Sequence, residues 1–307
     1  MTEKVKSATP ISVDGCLRRA ATASHEAGFS FAFWKLPNST AISFAASREP
    51  LATHDVVLEE MKSGYLFAPF DPGEKKIFLP ADEFFSCLNG VIQDCRGELM
   101  NQLTGRKEEQ PPESKTPFYE RPLESGLTAD DSSYKRLVDQ CRREVLSGRF
   151  EKLVPSRCKE VDLPADFDFI RLFLELGRRY PAAMVSVFSS PITGTWVGAT
   201  PETLVRVDVN QHFHTVAVAG TQPYAPGTDI RGITWNQKEI EEQALVERYI
   251  INCFKRIRLR EFDEHGPKTV VAGNVVHLKT DFEVDMVATR YPQLGSVMLQ
   301  LLHPTSA

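Results

Sequence analysis

The sequence lacks the marks of a secreted, membrane-bound or nucleic-acid-binding protein. Its 307 residues hold no apolar run long enough to span a bilayer. The first fifteen, MTEKVKSATPISVDG, carry no apolar signal core. There is no polybasic block, and the formal net charge is −5. A phosphate backbone is therefore not an expected partner. The six cysteines (Cys16, Cys87, Cys95, Cys141, Cys158 and Cys253) form no Cys-x-x-Cys pair, and none has zinc-ligand spacing with a histidine. They read as reduced thiols, mostly packed in the core. No internal repeat or heptad run is present. The expectation is a cytoplasmic monomer with neither nucleic acid nor membrane as partner. A small anionic substrate stays open, because a pocket sets its own local field.

What is present is ordinary globular material: 42% hydrophobic and 25% charged residues. The length suits one large domain or two smaller ones. Gly28–Leu36 and Thr40–Ala45 read as strands across Pro37-Asn38-Ser39, and Lys76–Leu79 as another. Asp82–Ile92 has a helical pattern. From Asn101 to Asp131 the chain turns polar and rich in Pro, Glu and Ser. This suggests an N-terminal part at 1–110, a linker or excursion at 111–131, and a main domain at 132–307.

Beyond the linker, a helix is expected from Ser132 or Ser133, with Asp131 as cap and Gly148 as the C′ residue. Phe150–Arg157 reads as a strand and Asp168–Arg179 as a helix. Met184–Ser189, Thr195–Gly198, Thr203–Val209 and His212–Val218 read as an antiparallel meander. A long helix spans Trp235 to about Ile257. Thr269–Ala272 and Val275–Lys279 form a hairpin over Gly273-Asn274, and Tyr291–Leu302 is helical. Strands and helices in clusters predict an α+β layered fold.

Four segments have chemical potential. Lys152, in Phe150–Arg157, is either an ordinary edge lysine or one aimed into a cleft, where desolvation would favour the neutral base. Glu202, in Gly198-Ala199-Thr200-Pro201-Glu202, is either an exposed turn residue or a carboxyl held at a strand mouth. Burial there would make it a general acid. Ala219-Gly220-Thr221 is either a simple turn or a place where a ligand meets backbone and hydroxyl. Glu239 and Glu242 share a helix face. They form either a solvated acidic face or a ligand pair for a hard cation such as Mg²⁺.

In this order the segments resemble the catalytic domain shared by chorismate-utilising enzymes. The resemblance runs from about Ser132 to the last residue. It also takes in Leu204-Val205-Arg206, KEIEEQALVERYI, Val276-His277-Leu278-Lys279-Thr280 and Leu302-His303-Pro304-Thr305. Gly64–Phe70 resembles a segment of isochorismate synthases. Lysine at 152 with alanine at 219 is similar to the water-adding branch, isochorismate or salicylate synthase. Val154-Pro155-Ser156-Arg157 is also seen in anthranilate synthases, a reading that brings ammonia and a glutaminase partner.

The resemblance implies a two-layered α/β sandwich of antiparallel sheets flanked by helices, of the anthranilate synthase component I type. It implies chorismate as substrate, Lys152 as general base, Glu202 as general acid, and Mg²⁺ on Glu239 and Glu242. Substrate contacts fall to Ala219, Gly220, Thr221 and His277, with His277 also readable as a satisfied strand histidine. The product, isochorismate, would serve menaquinone or siderophore biosynthesis. Family members continue past the final motif with further strands, an arginine and more glutamates. The expectation is therefore a chain missing its C-terminal strands, with little or no activity of its own. A non-catalytic interaction protein is the reading from another class.

Overall fold

Alternation in Ser30–Lys35 sends Phe31 and Phe33 to one face and Ala32 and Trp34 to the other. Phe31, Ala32 and Phe33 are all fully buried, as in a strand covered on both sides. The structure, a computed structural model, describes residues 12–71, 73–104, 116–121, 129–225, 227–272 and 275–302. In chain order the first elements are α1 (Val13–Glu26), β1 (Ser30–Lys35), β2 (Ala41–Ser47), β3 (Leu51–Thr53), β4 (Gly64–Phe67), β5 (Lys76–Pro80), β6 (Glu83–Leu88), β7 (Val91–Arg96) and α2 (Glu98–Thr104). Then follow α3 (Asp131–Leu146), α4 (Phe169–Arg179), β8 (Met184–Ser190), β9 (Gly194–Thr200), β10 (Arg206–Val207) and β11 (His212–Pro223). The chain continues with α5 (Gln237–Arg256), β12 (Asp263–Ala272), β13 (Val275–Asp285) and α6 (Leu294–Leu301).

The strands make three sheets: β7-β6-β2-β1-β8-β9, β10-β11-β13-β12 and β3-β5-β4. Every described pairing is antiparallel. The α+β expectation therefore holds. On one face of the six-stranded sheet, Phe33, Phe44 and Phe85 stack across neighbouring strands at 6.2 and 5.3 Å. Such cross-strand aromatic pairs are the unit of sheet stabilisation. Leu17 of α1, Met100 of α2 and Phe173 of α4 close over them. The opposite face meets Ile77 and Leu79 of the three-stranded sheet. The four-stranded sheet packs Phe213 and Phe282 against Val246, Ile250 and Phe254 of α5, with Leu294 and Met298 of α6. The two bodies meet where Ser296 N–H donates to Glu59 at 3.1 Å and Leu58 N–H donates to Ser296 Oγ at 2.7 Å.

Several expectations need correction. Asp82–Ile92 is not a helix but a hairpin, β6 and β7. Asn89 and Gly90 both have positive φ, 50° and 80°, as a two-residue hairpin turn requires. Phe150–Arg157 is not a strand. It has no regular structure and is held by Tyr134, whose hydroxyl donates to Pro155 O at 3.2 Å. Pro155 has no N–H to offer a ladder. Helix α3 starts one residue early, with Asp130 as its cap accepting from Ser133 N–H at 2.7 Å. Gly148 does take the left-handed position, at φ 75°. The meander is split: β9 edges the six-stranded sheet, and β10 opens the four-stranded one. Of the cysteines, Cys16, Cys87 and Cys253 are buried and Cys158 is exposed, and all six are free.

β1 pairs with β8, so residues on both sides of the polar excursion share one sheet. Residues 105–115 and 122–128 of that excursion, the Gly273-Asn274 turn and the His303–Thr305 motif lie outside the described residues. No helix among the described residues is long and apolar enough to cross a membrane.

Candidate functional site

The site begins with an irregularity in β11. Ala219 pairs with Leu278 and Thr221 with His277, so Gly220 is an extra residue. This is a β-bulge, and Gly220 has φ +66°, a conformation that costs glycine little. Space also favours glycine. A Cβ here would come within 3.0 Å of Glu239 Cβ and 3.3 Å of Glu239 O. Gly220 is thus where β11 touches the first turn of α5.

The bulge carries its polar groups to His277. His277 Nδ1 lies 3.2 Å from Gly220 O and 3.1 Å from Thr221 Oγ1. Gly220 O can only accept, so the network assigns the ring proton to Nδ1. In the neutral ring that leaves Nε2 as acceptor. Ala219 is 6% exposed and its side chain belongs to the core under α5. It can offer a ligand only its backbone.

The acidic turn of α5 is already partnered. Asn236 N–H donates to Glu239 Oε2 at 3.0 Å, so Glu239 helps to cap the helix start. Glu242 Oε1 lies 3.3 Å from Lys152 Nζ, with both side chains about one third exposed. Among the described residues no group of three or more His, Cys, Asp or Glu side chains is placed to hold a metal ion. The two carboxylates suit Mg²⁺ as a partial donor set. That ion accepts one or two protein carboxylates and fills its other positions with water or substrate oxygen. Binding there would have to share or release the contacts with Asn236 and Lys152.

Contacts therefore run from Lys152 to Glu242, along one helical turn to Glu239, and on to Gly220, Thr221 and His277. Among the described residues no hydrogen bond or ion pair joins Glu202 to them. It lies in the crossing between β9 and β10, where its N–H donates to Thr200 Oγ1 at 3.3 Å. Its side chain is exposed. Sequence reasoning also missed residues behind the site: Gln243, Glu247 and Thr280. The available signal was Gln243 itself, a polar residue three and seven positions before the core residues Val246 and Ile250.

The chorismate binding enzyme family matches residues 83–307. Two solved structures share the architecture. One is MenF, the menaquinone-specific isochorismate synthase from Escherichia coli, with a TM-score of 0.64 and 14% identity, covering 100% of this chain and 73% of that chain. The other is DhbC from Bacillus anthracis, assigned as a 2,3-dihydroxybenzoate-specific isochorismate synthase, with a TM-score of 0.59 and 15% identity, covering 94% of this chain and 75% of that chain. At these identities the likeness establishes the fold.

Proposed function

This chain belongs to the chorismate-binding enzyme family, and from that membership we propose that it is an isochorismate synthase. The observation that carries the reading is the 3.3 Å pair between Lys152 and Glu242. It brings the lysine of one motif to the acidic turn of another, beside the bulge that holds His277.

In the proposed reaction Lys152 Nζ takes a proton from water while the water oxygen bonds to C2 of the ring. The ring double bonds shift and the C4–O bond breaks. Glu202 gives its proton to the departing hydroxyl, so the net change is an isomerisation. The amine must be neutral and the carboxyl protonated at one pH, which calls for contrasting environments. Gly220 and Thr221 would contact the substrate, with His277 beside the ring. Glu239 and Glu242 would hold Mg²⁺, which neutralises a substrate carboxylate when bound. Because Glu202 is exposed, the proposed behaviour is chorismate binding with slow turnover. The isochorismate formed would supply menaquinone or siderophore synthesis.

The Val154-Pro155-Ser156-Arg157 motif does not favour the ammonia-using branch. Pro155 O accepts from Tyr134, and Arg157 pairs with Asp131 and lies over the Tyr134 ring at 5.0 Å. These contacts give the motif a structural role against α3. Calorimetric titration with chorismate and Mg²⁺, with products separated by chromatography, tests the proposal. Binding and slow isochorismate formation are expected. Lys152→Ala should abolish product while binding persists. Absence of chorismate binding in the parent protein would sink the reading, and anthranilate formation on adding ammonia would replace it.

A further inference from the structure

Gln243 is 1% exposed and sits on α5 directly after Glu242. Its Nε2 lies 3.2 Å from Ala217 O of β11, 3.2 Å from Thr280 Oγ1 of β13 and 3.0 Å from Glu247 Oε1. Thr280 Oγ1 in turn donates to the same Glu247 oxygen. All three acceptors favour this amide orientation, because the flipped one would set Oε1 against a carbonyl and a carboxylate. The cost appears at the other end of the amide. Gln243 Oε1 is buried with no hydrogen-bond partner among the described residues. A buried acceptor left without a partner is destabilising. An unbranched apolar side chain would fill this place on the face of Val246 and Ile250 without that cost.

The amide holds orientation in return. Helix α5 touches β11 at two levels one turn apart: Glu239 against Gly220, and Gln243 on Ala217 O. Two such contacts fix the rotation of a helix about its own axis, which apolar packing leaves softer. Rotation decides where the carboxylates of Glu239 and Glu242 stand relative to Lys152.

We propose that Gln243 is a positioning residue, whose hydrogen bonds to Ala217 and Thr280 lock the rotation of α5 and so set Glu239, Glu242 and the Gly220 bulge in register. Its catalytic consequence rests on the isochorismate synthase reading; its structural consequence does not. The test uses the full chain with Gln243→Met, which keeps volume and helix propensity but removes both donors. Thr280→Val removes the same link from the other side, and Thr280→Ser restores its hydroxyl.

The expected result for Gln243→Met and Thr280→Val has three parts. The thermal midpoint is unchanged or higher. Amide exchange at Gly220, Thr221 and Ile240 speeds up about five- to tenfold, the worth of a hydrogen bond. Chorismate affinity falls by a similar factor, while Thr280→Ser behaves as the parent. Parent-like exchange at these amides, or parent-like affinity in Gln243→Met, overturns the proposal. If the parent itself binds no chorismate, the functional reading fails, and the exchange rates alone decide whether Gln243 orients α5.

Discussion

The two larger sheets are used differently. The six-stranded sheet is covered on both faces, by helices on one and by the three-stranded sheet on the other. The four-stranded sheet sets apolar side chains against α5. At the alternate positions of β11 and β13 it carries His212, His214, His277, Lys279, Asp281 and Glu283. Most of these are tied in pairs, such as Lys279 with Asp281 at 2.6 Å and His212 with Glu283 at 2.6 Å. Core and chemistry are thus divided by sheet. The aromatic body supplies rigidity, while the charged body holds the bulge, the acidic helix turn and the histidine–carboxylate cluster.

The largest effect that would break this comparison is in the aromatic body. Phe33 is fully buried, stacked on Phe44 and edge-on to Phe173 at 4.8 Å. Phe33→Ala should cost about 3–5 kcal/mol, read by urea denaturation. A loss below about 1 kcal/mol would show that this sheet is not the scaffold.

Next is the bulge. Gly220 and Gly28 both have left-handed φ, but an added Cβ meets nothing within 4 Å at Gly28 and meets Glu239 at Gly220. Gly28→Ala should cost about 1 kcal/mol, the backbone preference alone. Gly220→Ala should cost more, about 2–3 kcal/mol, and should also weaken chorismate binding. Equal losses at the two sites would mean that α5 can step back from β11 without strain, and that the close approach does not define the site.

What was legible in the sequence follows from how local each signal is. Asp168 caps α4 by accepting from Ile170 and Arg171 N–H at 3.0 and 3.1 Å. Gly148 closes α3. The cap and closing signals lie in adjacent residues, so the elements could be read. The β6–β7 hairpin was misread because Phe84, Phe85 and Leu88 also fit a helical spacing. Only the Asn89-Gly90 turn breaks the tie. Whether Phe150–Arg157 becomes a strand depends on a partner far away in sequence, as does the change of sheet after β9. In the site, Lys152, Glu242, Glu239, Gly220, Thr221 and His277 were named from motifs, and the structure joins them by contact. Glu239's bond to Asn236 and the buried Gln243 amide depend on side-chain geometry, which periodicity does not carry.

The smallest expected effect sharpens the comparison from the charged side. The bond from His212 Nδ1 to Glu283 raises the imidazole pKa, opposed by burial and aided by Asp208, Glu283 and Asp285 as nearby negative charges. His214 shares the cluster, 3.7 Å from Glu283 and 3.5 Å from Asp208. A folded-state value above the unfolded one, about 6.5, means protonated His212 favours the folded state. That contribution is fully present below the unfolded value and is lost as pH rises through the folded value. Stability of the four-stranded body should therefore fall slightly from weakly acidic to weakly alkaline pH. Glu283→Gln should flatten this slope, and an NMR titration of His212 should place its midpoint above that of a model imidazole. A midpoint at or below the ordinary value would mean that the pair is a surface contact without energetic weight. The titrating face would then add nothing to the pH dependence of stability.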